Sequence, residues 1–550
     1  MFSDPVVGDD FFGRQEVLDL LAKRAGALKA GYRQNVAIIG HRQIGKTSIL
    51  RQFLHEHRDP DVLPIYVEIK LPALDYFVDQ FVRALLFRYL SVSGVAPAHP
   101  TESAASLAEK AAPSIPKTVA RIHEISALLK HRHAGEAYFK LFELTSILRQ
   151  ETGKHCIVIL DEFHRLGELG VRNAFSDFGK RIMLQKDTMY LLASSAFSAS
   201  RRILAEKLSL LFGNFERVYL EPFDFQTSFD YLNKRLAPLE VPDGIKHFLA
   251  AFTDGHPFFL ATIADRVREC AAARGETRVS RTSVGEALAR LLFESQGVLY
   301  QYFLMLISPW TQGHSRGGHV LVLTELAKGK NKLKDLSRAV NRSQSEVSEH
   351  IAELMEKELV VKTGVFYRFH DKIFKFWLHE VYERKELSLE GPAGKAEDFL
   401  KRIDTLIAEH EELRRMDVSD RIGNLFGLFR NEIIELGEKR RQLPHFTEIL
   451  HSRGTGQAPE GRTRDLIAKG RGRCWVCRIV EERATEREIL DFVQGQPRDS
   501  SRTPVFVALK GLDDNAKLMA KEKRVLTLGL SRINMLMDLY GAAPIVRADG

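Results

Sequence analysis

A chain of 550 residues is too long for a single hydrophobic core, and its length predicts about three to four domains. With 44% hydrophobic residues, 28% charged residues and four cysteines, the composition is that of an ordinary globular protein, not a disulfide scaffold, so a reducing, cytoplasmic location is expected. Basic residues outnumber acidic ones 80 to 72, an excess that permits nucleic acid or an acidic surface as partner without demanding either.

The opening segment, MFSDPVVGDDFFGRQEV, starts with acids and has no apolar run, so no signal peptide is expected. No stretch approaches the ~18 apolar residues that span a bilayer, so no membrane partner is expected. Residues Asn35 to Gly40, NVAIIG, read as a buried strand, and in the following HRQIGKTSILRQFL the residues Ile49, Leu50, Phe53 and Leu54 repeat at helical spacing. Between them lies Gly40-x-x-x-x-Gly45-Lys46-Thr47, the Walker A pattern in its strand-loop-helix setting. Small residues let backbone N–H groups curl around a β-phosphate, and the helix N-terminus adds a positive dipole end. Gly40, His41, Arg42, Gln43, Ile44, Gly45, Lys46, Thr47 and Ser48 are therefore the predicted phosphate cradle for ATP or ADP. Lys46 reaches the β- and γ-phosphates, and the Thr47 hydroxyl ligates Mg²⁺. A glycine turn beside a surface lysine is the bland alternative.

The run VLPIYVEIK predicts a second strand, followed by a mostly helical insert to about residue 150 in which Val95 to Lys117 reads as a mobile loop. HCIVILDE (His155 to Glu162) is an apolar strand ending in two carboxylates, at the sheet edge where ligands of open α/β sheets sit. In a Walker B reading Asp161 holds Mg²⁺ through its water shell and Glu162 polarises the attacking water. In the alternative, Asp161 caps an acidic turn. The strand MYLLASS ends in Ser194 and Ser195, which either sense a γ-phosphate or simply finish the strand.

With these motifs in place, FFGRQEVLDLL (Phe11 to Leu21) resembles the hydrophobic-Gly-Arg-x-x-Glu entry motif of archaeal-type ATPases, in the signal-transducing (STAND) branch of the AAA-related P-loop proteins. The resemblance implies that Gly13 to Leu18, with Gly13 and Arg14 foremost, approach the adenine, although Gln15-Glu16 shifts the acid relative to some versions. SSAF followed by LSLLFGNFERVYLEPFDF (Leu208 to Phe225) resembles the sensor region and the strand leading to a helical lid. DGHPFFL (Asp254 to Leu260) resembles the Gly-x-Pro motif of that lid, where His256 and Pro257 touch base or ribose. A neighbouring subunit could supply an activating arginine, for which Arg201, Arg202 and Arg217 are equal candidates, and a protein partner or a homo-oligomer is permitted without being demanded.

Further along, Leu333, Leu336 and Val340 share one helical face, Asn341-Arg342-Ser343 turns, and Val347, Ile351 and Leu354 stripe a second helix. VVKTGVFYRF then reads as a hairpin, which completes a winged helix-turn-helix, and DKIFKFWLHEVY resembles the segment closing that domain in the same family. Glu346, Glu349, Glu353, Glu356 and Glu358 on or beside the second helix would repel phosphates, whereas Lys328, Lys330, Lys332, Lys334, Arg338 and Arg342 form a basic surface that could take DNA. In the STAND family such a domain often packs on the ATPase and gates it, so the resemblance makes gating the favoured role and sequence readout the competitor.

In the last third, EDFLKRIDTLIAEHEELRR is a connector helix and RIGNLFGLFRNEIIELG a second helix. The order strand, turn, strand, helix and strand through RTRDLIAKGRGRCWVCRIVEERATEREILDFV and PVFVALKGL resembles a restriction-endonuclease-like module. The resemblance implies metal binding by Asp465 and a Glu-x-Lys, but here Val476-Cys477-Arg478 stands in the second position and Gly427 where a Glu is common. A lone carboxylate is a poor Mg²⁺ site, so nuclease activity is expected to be absent. Arg462, Arg464, Lys469, Arg471, Arg473 and Arg478 either bind phosphates or form a solvated surface. Cys474 and Cys477 read as buried strand cysteines pointing to opposite faces, not as a zinc pair.

The expected fold is α/β: a P-loop NTPase parallel sheet (1–230), a helical lid (231–295), a winged helix-turn-helix (296–385), and a connector with an α/β nuclease-like module (386–550). The expected function is a slowly hydrolysing ATP-dependent switch, the alternatives being an ATP-regulated DNA-binding protein and, less favoured, an ATP-driven nuclease.

Overall fold

The computed structural model describes residues 4–208, 215–311, 317–386, 395–436, 439–452, 463–495 and 502–546. The chain divides into two compact units, Met1–Pro222 and Phe223–Gly550.

In the first unit the short apolar runs become strands: β1 (Asn35–Gly40), β2 (Val62–Glu68), β3 (His155–Asp161), β4 (Thr188–Ser194) and β5 (Phe215–Leu220). They form one parallel sheet in the order β2-β3-β4-β1-β5. Every residue of β1, β3 and β4 is buried, as a parallel sheet covered on both faces requires. One face packs on α1 (Gln15–Lys29) and α2 (Lys46–Glu56). The other packs on α3 (Leu74–Ser93), α4 (Ala104–Ala111), α5 (Pro116–Lys130), α6 (Ala134–Leu141), α7 (Leu144–Thr152) and α8 (Ala174–Leu184). After β4 the chain makes the short helix α9 (Phe197–Arg202).

The expected loop at Val95 to Lys117 is instead partly helical. Ser103 caps α4 by accepting from Ser106 N–H, Pro116 opens α5, and Leu107, Ala108, Ala111 and Ile115 are buried in the same core as α3. The serine and proline that suggest a loop are acting as helix-start chemistry.

The second unit opens with four helices, α10 (Phe225–Leu236), α11 (Asp243–Thr253), α12 (Pro257–Ala273) and α13 (Arg281–Leu288). Gly255 before α12 has φ +69°, and a Cβ there would lie 2.0 Å from the Phe223 carbonyl oxygen, so only glycine fits this turn. Next come α14 (Val298–Thr311), α15 (Gly317–Ala327), α16 (Leu333–Ala339), α17 (Gln344–Glu356), the hairpin β6 (Val360–Thr363) and β7 (Phe366–Phe369), and α18 (Lys372–Trp377). This is the winged helix: Ser343 and Glu346 close a capping box on α17, and Leu336, Val347, Ile351 and Leu354 are its buried stripe.

After α19 (Glu383–Glu386), α20 (Lys395–Arg415) and α21 (Val418–Gly427) lie β8 (Ile433–Leu436) and β9 (Lys439–Gln442), an antiparallel pair. The expected helix over RIGNLFGLFRNEIIELG thus ends at Gly427. Asn431 turns the chain at φ 64°, and the β-branched Ile433-Ile434 begins a strand whose Ile434 and Leu436 face inward. The closing sheet holds β10 (Phe446–Ser452), β11 (Thr463–Gly470), β12 (Arg473–Val480), β13 (Arg502–Ala508) and β14 (Leu526–Gly529), in that order. Its first three strands are antiparallel and the last two join in parallel, through α22 (Glu486–Gln494) and α23 (Asp514–Glu522). Helix α24 (Leu530–Leu539) follows. Among the described residues, no helix is long and apolar enough to cross a membrane.

Within this unit the wing is inserted into the C-terminal module. Phe366 of β7 is buried in the core of the closing sheet and meets Tyr540 edge-on at 5.4 Å. Val365 N–H donates to the Ile433 carbonyl at 3.1 Å. Glu432 accepts from Lys332 at 2.9 Å and Tyr540 at 2.7 Å; burial favours its neutral form, but these bonds outweigh burial and hold its carboxyl below the usual range. At the wing tip Gly364 has φ +64°, and a Cβ would stand 2.1 Å from Ile433 O. Gly364→Ala is expected to cost about 1–3 kcal/mol in urea denaturation, with faster amide exchange over residues 433–436. Val365→Ala, at a 42% exposed neighbour, should be nearly neutral.

Candidate nucleotide-binding site

Gly40, Asp161 and Ser194 end neighbouring strands, so the parallel sheet gathers the two motifs at its C-terminal edge. Gly40 leaves no room for a side chain, since a Cβ would meet Ile44 Cγ2 at 2.9 Å and Leu220 O at 3.0 Å. The loop curls through two left-handed residues, Gln43 at φ 60° and Gly45 at φ 98°, the second being the N-cap of α2. Ile44 is buried in the core beside Leu220, Arg42 is exposed, and the His41 ring stacks on Phe197 of α9 with centroids 5.2 Å apart.

Lys46 is only 5% exposed, and its ammonium donates to the carbonyls of Gly40 at 2.9 Å and His41 at 2.7 Å. Thr47 Oγ1 donates to Asp161 Oδ2 at 2.8 Å, and Tyr66 OH donates to the same oxygen at 3.0 Å. Glu162 N–H donates to Asp161 Oδ1 at 3.0 Å. Burial first, and then the neighbouring charge of Glu162, push the Asp161 carboxyl above its usual range. Burial and Asp161 push the Tyr66 phenol up as well.

Glu162 sits in the left-handed region at φ 55°. Its Oε2 accepts from Ser195 N–H at 2.9 Å and Ser195 Oγ at 2.8 Å, with His164 Nδ1 at 3.3 Å. Ser194 Oγ lies 2.8 Å from His164 Nδ1, accepts from Ala196 N–H at 3.1 Å, and meets Ser200 Oγ at 2.6 Å. Both serines at the end of β4 are thus engaged with the Walker B turn. His164 was absent from the residues singled out for chemistry in the sequence, although the spacing Glu162-x-His164 was visible.

Gly13 and Arg14 are consecutive left-handed residues, at φ 67° and 64°, that start α1; Arg14 Nη2 donates to Glu221 O. The N-terminal segment lies along α2, with Val6 N–H donating to Ser48 Oγ at 3.3 Å and Gly8 N–H to Gln52 Oε1 at 2.7 Å. Gln52, nearly buried, is a second residue the sequence did not single out. Arg201, Arg202 and Arg217 are all exposed. In the second unit, buried His256 is the N-cap of α12, its ring 4.6 Å from Phe259, and Pro257 is the first helical residue.

The candidate nucleic-acid surfaces are partly spent on ion pairs. Lys328 pairs with Glu325 and Glu383, Lys332 with Glu432, and Arg342 with Glu346; Lys330, Lys334 and Arg338 stand exposed. Glu346, Glu349, Glu353 and Glu356 are exposed on α17 and Glu358 is half-buried. In the closing sheet Asp465 lies opposite Arg478, whose guanidinium donates to both carboxylate oxygens at 2.8 Å. Arg464 pairs with Asp417 and Lys469 with Glu448, Arg471 and Arg473 are exposed, and Arg462 lies outside the described residues. Cys477 and Cys474 belong to the cores on opposite faces of that sheet, and Val476 is buried. Among the described residues no group of three or more His, Cys, Asp or Glu side chains could hold a metal on its own.

Comparison with known families matches residues 10–181 to the AAA ATPase domain and residues 318–362 to the bacterial regulatory protein, arsR family. The first unit therefore carries an AAA ATPase domain, and the winged helix is of the ArsR type. No curated protein matches the chain. Among solved structures, the walker-type ATPase PABY2304 of Pyrococcus abyssi is 18% identical with a TM-score of 0.46, over 69% of this chain and 99% of that one. The Aeropyrum pernix ORC2 protein is 13% identical with a TM-score of 0.42, over 75% and 98%. The Thermotoga maritima RuvB Holliday junction branch migration motor is 14% identical with a TM-score of 0.35, over 69% and 100%.

The raised pKa of Asp161 carries a signed prediction. A carboxyl raised on folding stabilises the fold below its unfolded pKa, and that contribution is lost as pH rises through the folded value. Asp161→Asn, neutral at every pH, should therefore melt higher than the unaltered protein at pH 8 without nucleotide. The gain should shrink steadily as the pH is lowered through the carboxylate range, measured by thermal denaturation.

Proposed function

We propose that the chain is an ATP-binding molecular switch that hydrolyses slowly, using Lys46, Thr47, Asp161 and Glu162. The observation that carries this reading is the Thr47–Asp161 hydrogen bond at 2.8 Å beside the Lys46 ammonium, because it brings the two motifs onto one spot at the sheet edge. The donor set fits Mg²⁺: a hydroxyl and a carboxylate oxygen are adjacent, and phosphate oxygens and water complete the hard-cation shell. Thr47 and Asp161 would hold the ion, which would supply positive charge to offset that of the γ-phosphoryl group.

On this reading Lys46 exchanges the Gly40 and His41 carbonyls for β- and γ-phosphate oxygens, and the amides of residues 41–48 grip the β-phosphate. Glu162 orients the attacking water and takes its proton. Ser194 and Ser195 act on this step through the Walker B turn. Gly13 and Arg14 approach the base. His256 and Pro257, as residues of an archaeal-type helical lid, touch base or ribose. An exposed arginine, Arg201, Arg202 or Arg217, is supplied to a neighbouring subunit in a homo-oligomer.

The nucleotide state then positions the winged helix and the C-terminal module. Two observations favour a gating role over sequence readout: Phe366 of the wing is buried in the core of the C-terminal module, and α17 presents glutamates. A second reading, ATP-regulated DNA binding, is supported by the arsR-family match and by exposed Lys330, Lys334 and Arg338. The strand order of the closing sheet favours the restriction-endonuclease-like assignment. The Arg478 guanidinium on Asp465 favours an inactive module, because it neutralises the carboxylate a metal would need.

Calorimetry and phosphate release test the site. Lys46→Ala should lose ATP binding by at least about a hundredfold. Glu162→Gln should keep affinity within about twofold while turnover falls on the order of a hundredfold. Undiminished binding by the first variant would end the assignment. In mobility-shift assays across a salt series, duplex DNA should bind weakly with or without ATP; tight binding with a steep salt slope would establish the second reading.

A further inference from the structure

We infer that His164 is a positioning residue for Glu162, an inference that rests on the ATPase reading above. Two hydrogen-bond donors and one ring nitrogen converge on a single carboxylate oxygen. Ser195 supplies its N–H at 2.9 Å and its hydroxyl at 2.8 Å, and His164 Nδ1 lies 3.3 Å from the same Oε2. A carboxylate fixed through one oxygen presents the other in a set direction, which is what a group orienting a water molecule needs.

The ring is itself held. Nδ1 is 2.8 Å from Ser194 Oγ, and Ser194 is fully buried and tied to Ala196 N–H and to Ser200 Oγ, also fully buried. With the ring proton on Nδ1, the N–H donates to Ser194 Oγ at 2.8 Å and turns its positive end towards Glu162 Oε2 at 3.3 Å. Ser200 lies on α9, whose Phe197 stacks on His41 of the phosphate loop. The group that aims Glu162 is therefore fastened to β4 and, through α9, to the loop that receives the phosphates. Glu162 needs such fastening because its backbone sits in the left-handed region, which a non-glycine residue holds only when its surroundings fix it.

The test compares kcat, nucleotide affinity and melting temperature of the full chain. His164→Ala should lower kcat roughly ten- to a hundredfold with affinity unchanged. His164→Asn, whose amide nitrogen replaces Nδ1, should recover most of the loss, and His164→Gln, whose amide lies one bond farther out, should not. On a Glu162→Gln background, His164→Ala should add no further loss, because both act as one unit. Wild-type turnover in His164→Ala, an additive loss on the Glu162→Gln background, or a parallel fall in affinity and melting temperature without rescue by Asn would overturn the inference. No turnover in the unaltered protein would instead overturn the ATPase reading on which it stands.

Discussion

Asp161 is a carboxylate with almost no exposed surface, next to a second carboxylate at the end of a fully buried strand. Burying a charge is costly unless it is paired and hydrogen-bonded. Thr47, Tyr66 and the backbone of Glu162 supply bonds, yet the carboxyl stays above its ordinary range. The sheet edge thus holds a partly compensated carboxyl bonded to Thr47, the residue that follows the buried Lys46. On the ATP-binding reading proposed above, such a site would suit an incoming magnesium–phosphate pair, whose charges would be matched on both sides.

The rest of the first unit follows from this constraint. The edge requires Asp161, Gly40 and Ser194 to end parallel strands side by side, which requires crossover helices on both faces. The large core built by α3 to α8 covers one face, and α1 and α2 cover the other. In the second unit a different constraint dominates. Phe366 is buried among residues of the closing sheet, and Gly364 admits no side chain against Ile433, so the wing and the C-terminal module share one core.

Much of the first unit was legible because its signals are local. NVAIIG, HCIVILDE and MYLLASS are apolar runs whose ends are set by Gly40, Asp161 and the serines, and the Walker A spacing fixes the loop. The winged helix was equally plain, since Val347, Ile351 and Leu354 stripe α17 and VVKTGVFYRF reads as the hairpin. Three features depended on long-range pairing and were hidden. The helix at Ala104–Ala111 owes its place to burial against α3, and Ile433–Leu436 became a strand because Lys439–Gln442 pairs with it. His164 gains its meaning only when β4 brings Ser194 beside it across 30 residues. Asp465 and Arg478 could be read as an incomplete metal site, but their bidentate pairing needed the cross-strand register.

The central claim is that main-chain amides and Lys46 grip a β-phosphate at this edge. Titration calorimetry with ATP, ADP and AMP in the presence of Mg²⁺ tests it most directly. Binding heat is expected for ATP and ADP and none for AMP, because AMP carries no β-phosphate for the loop to enclose. Equal affinity for AMP and ADP, or no heat with any of the three in folded protein, would contradict it.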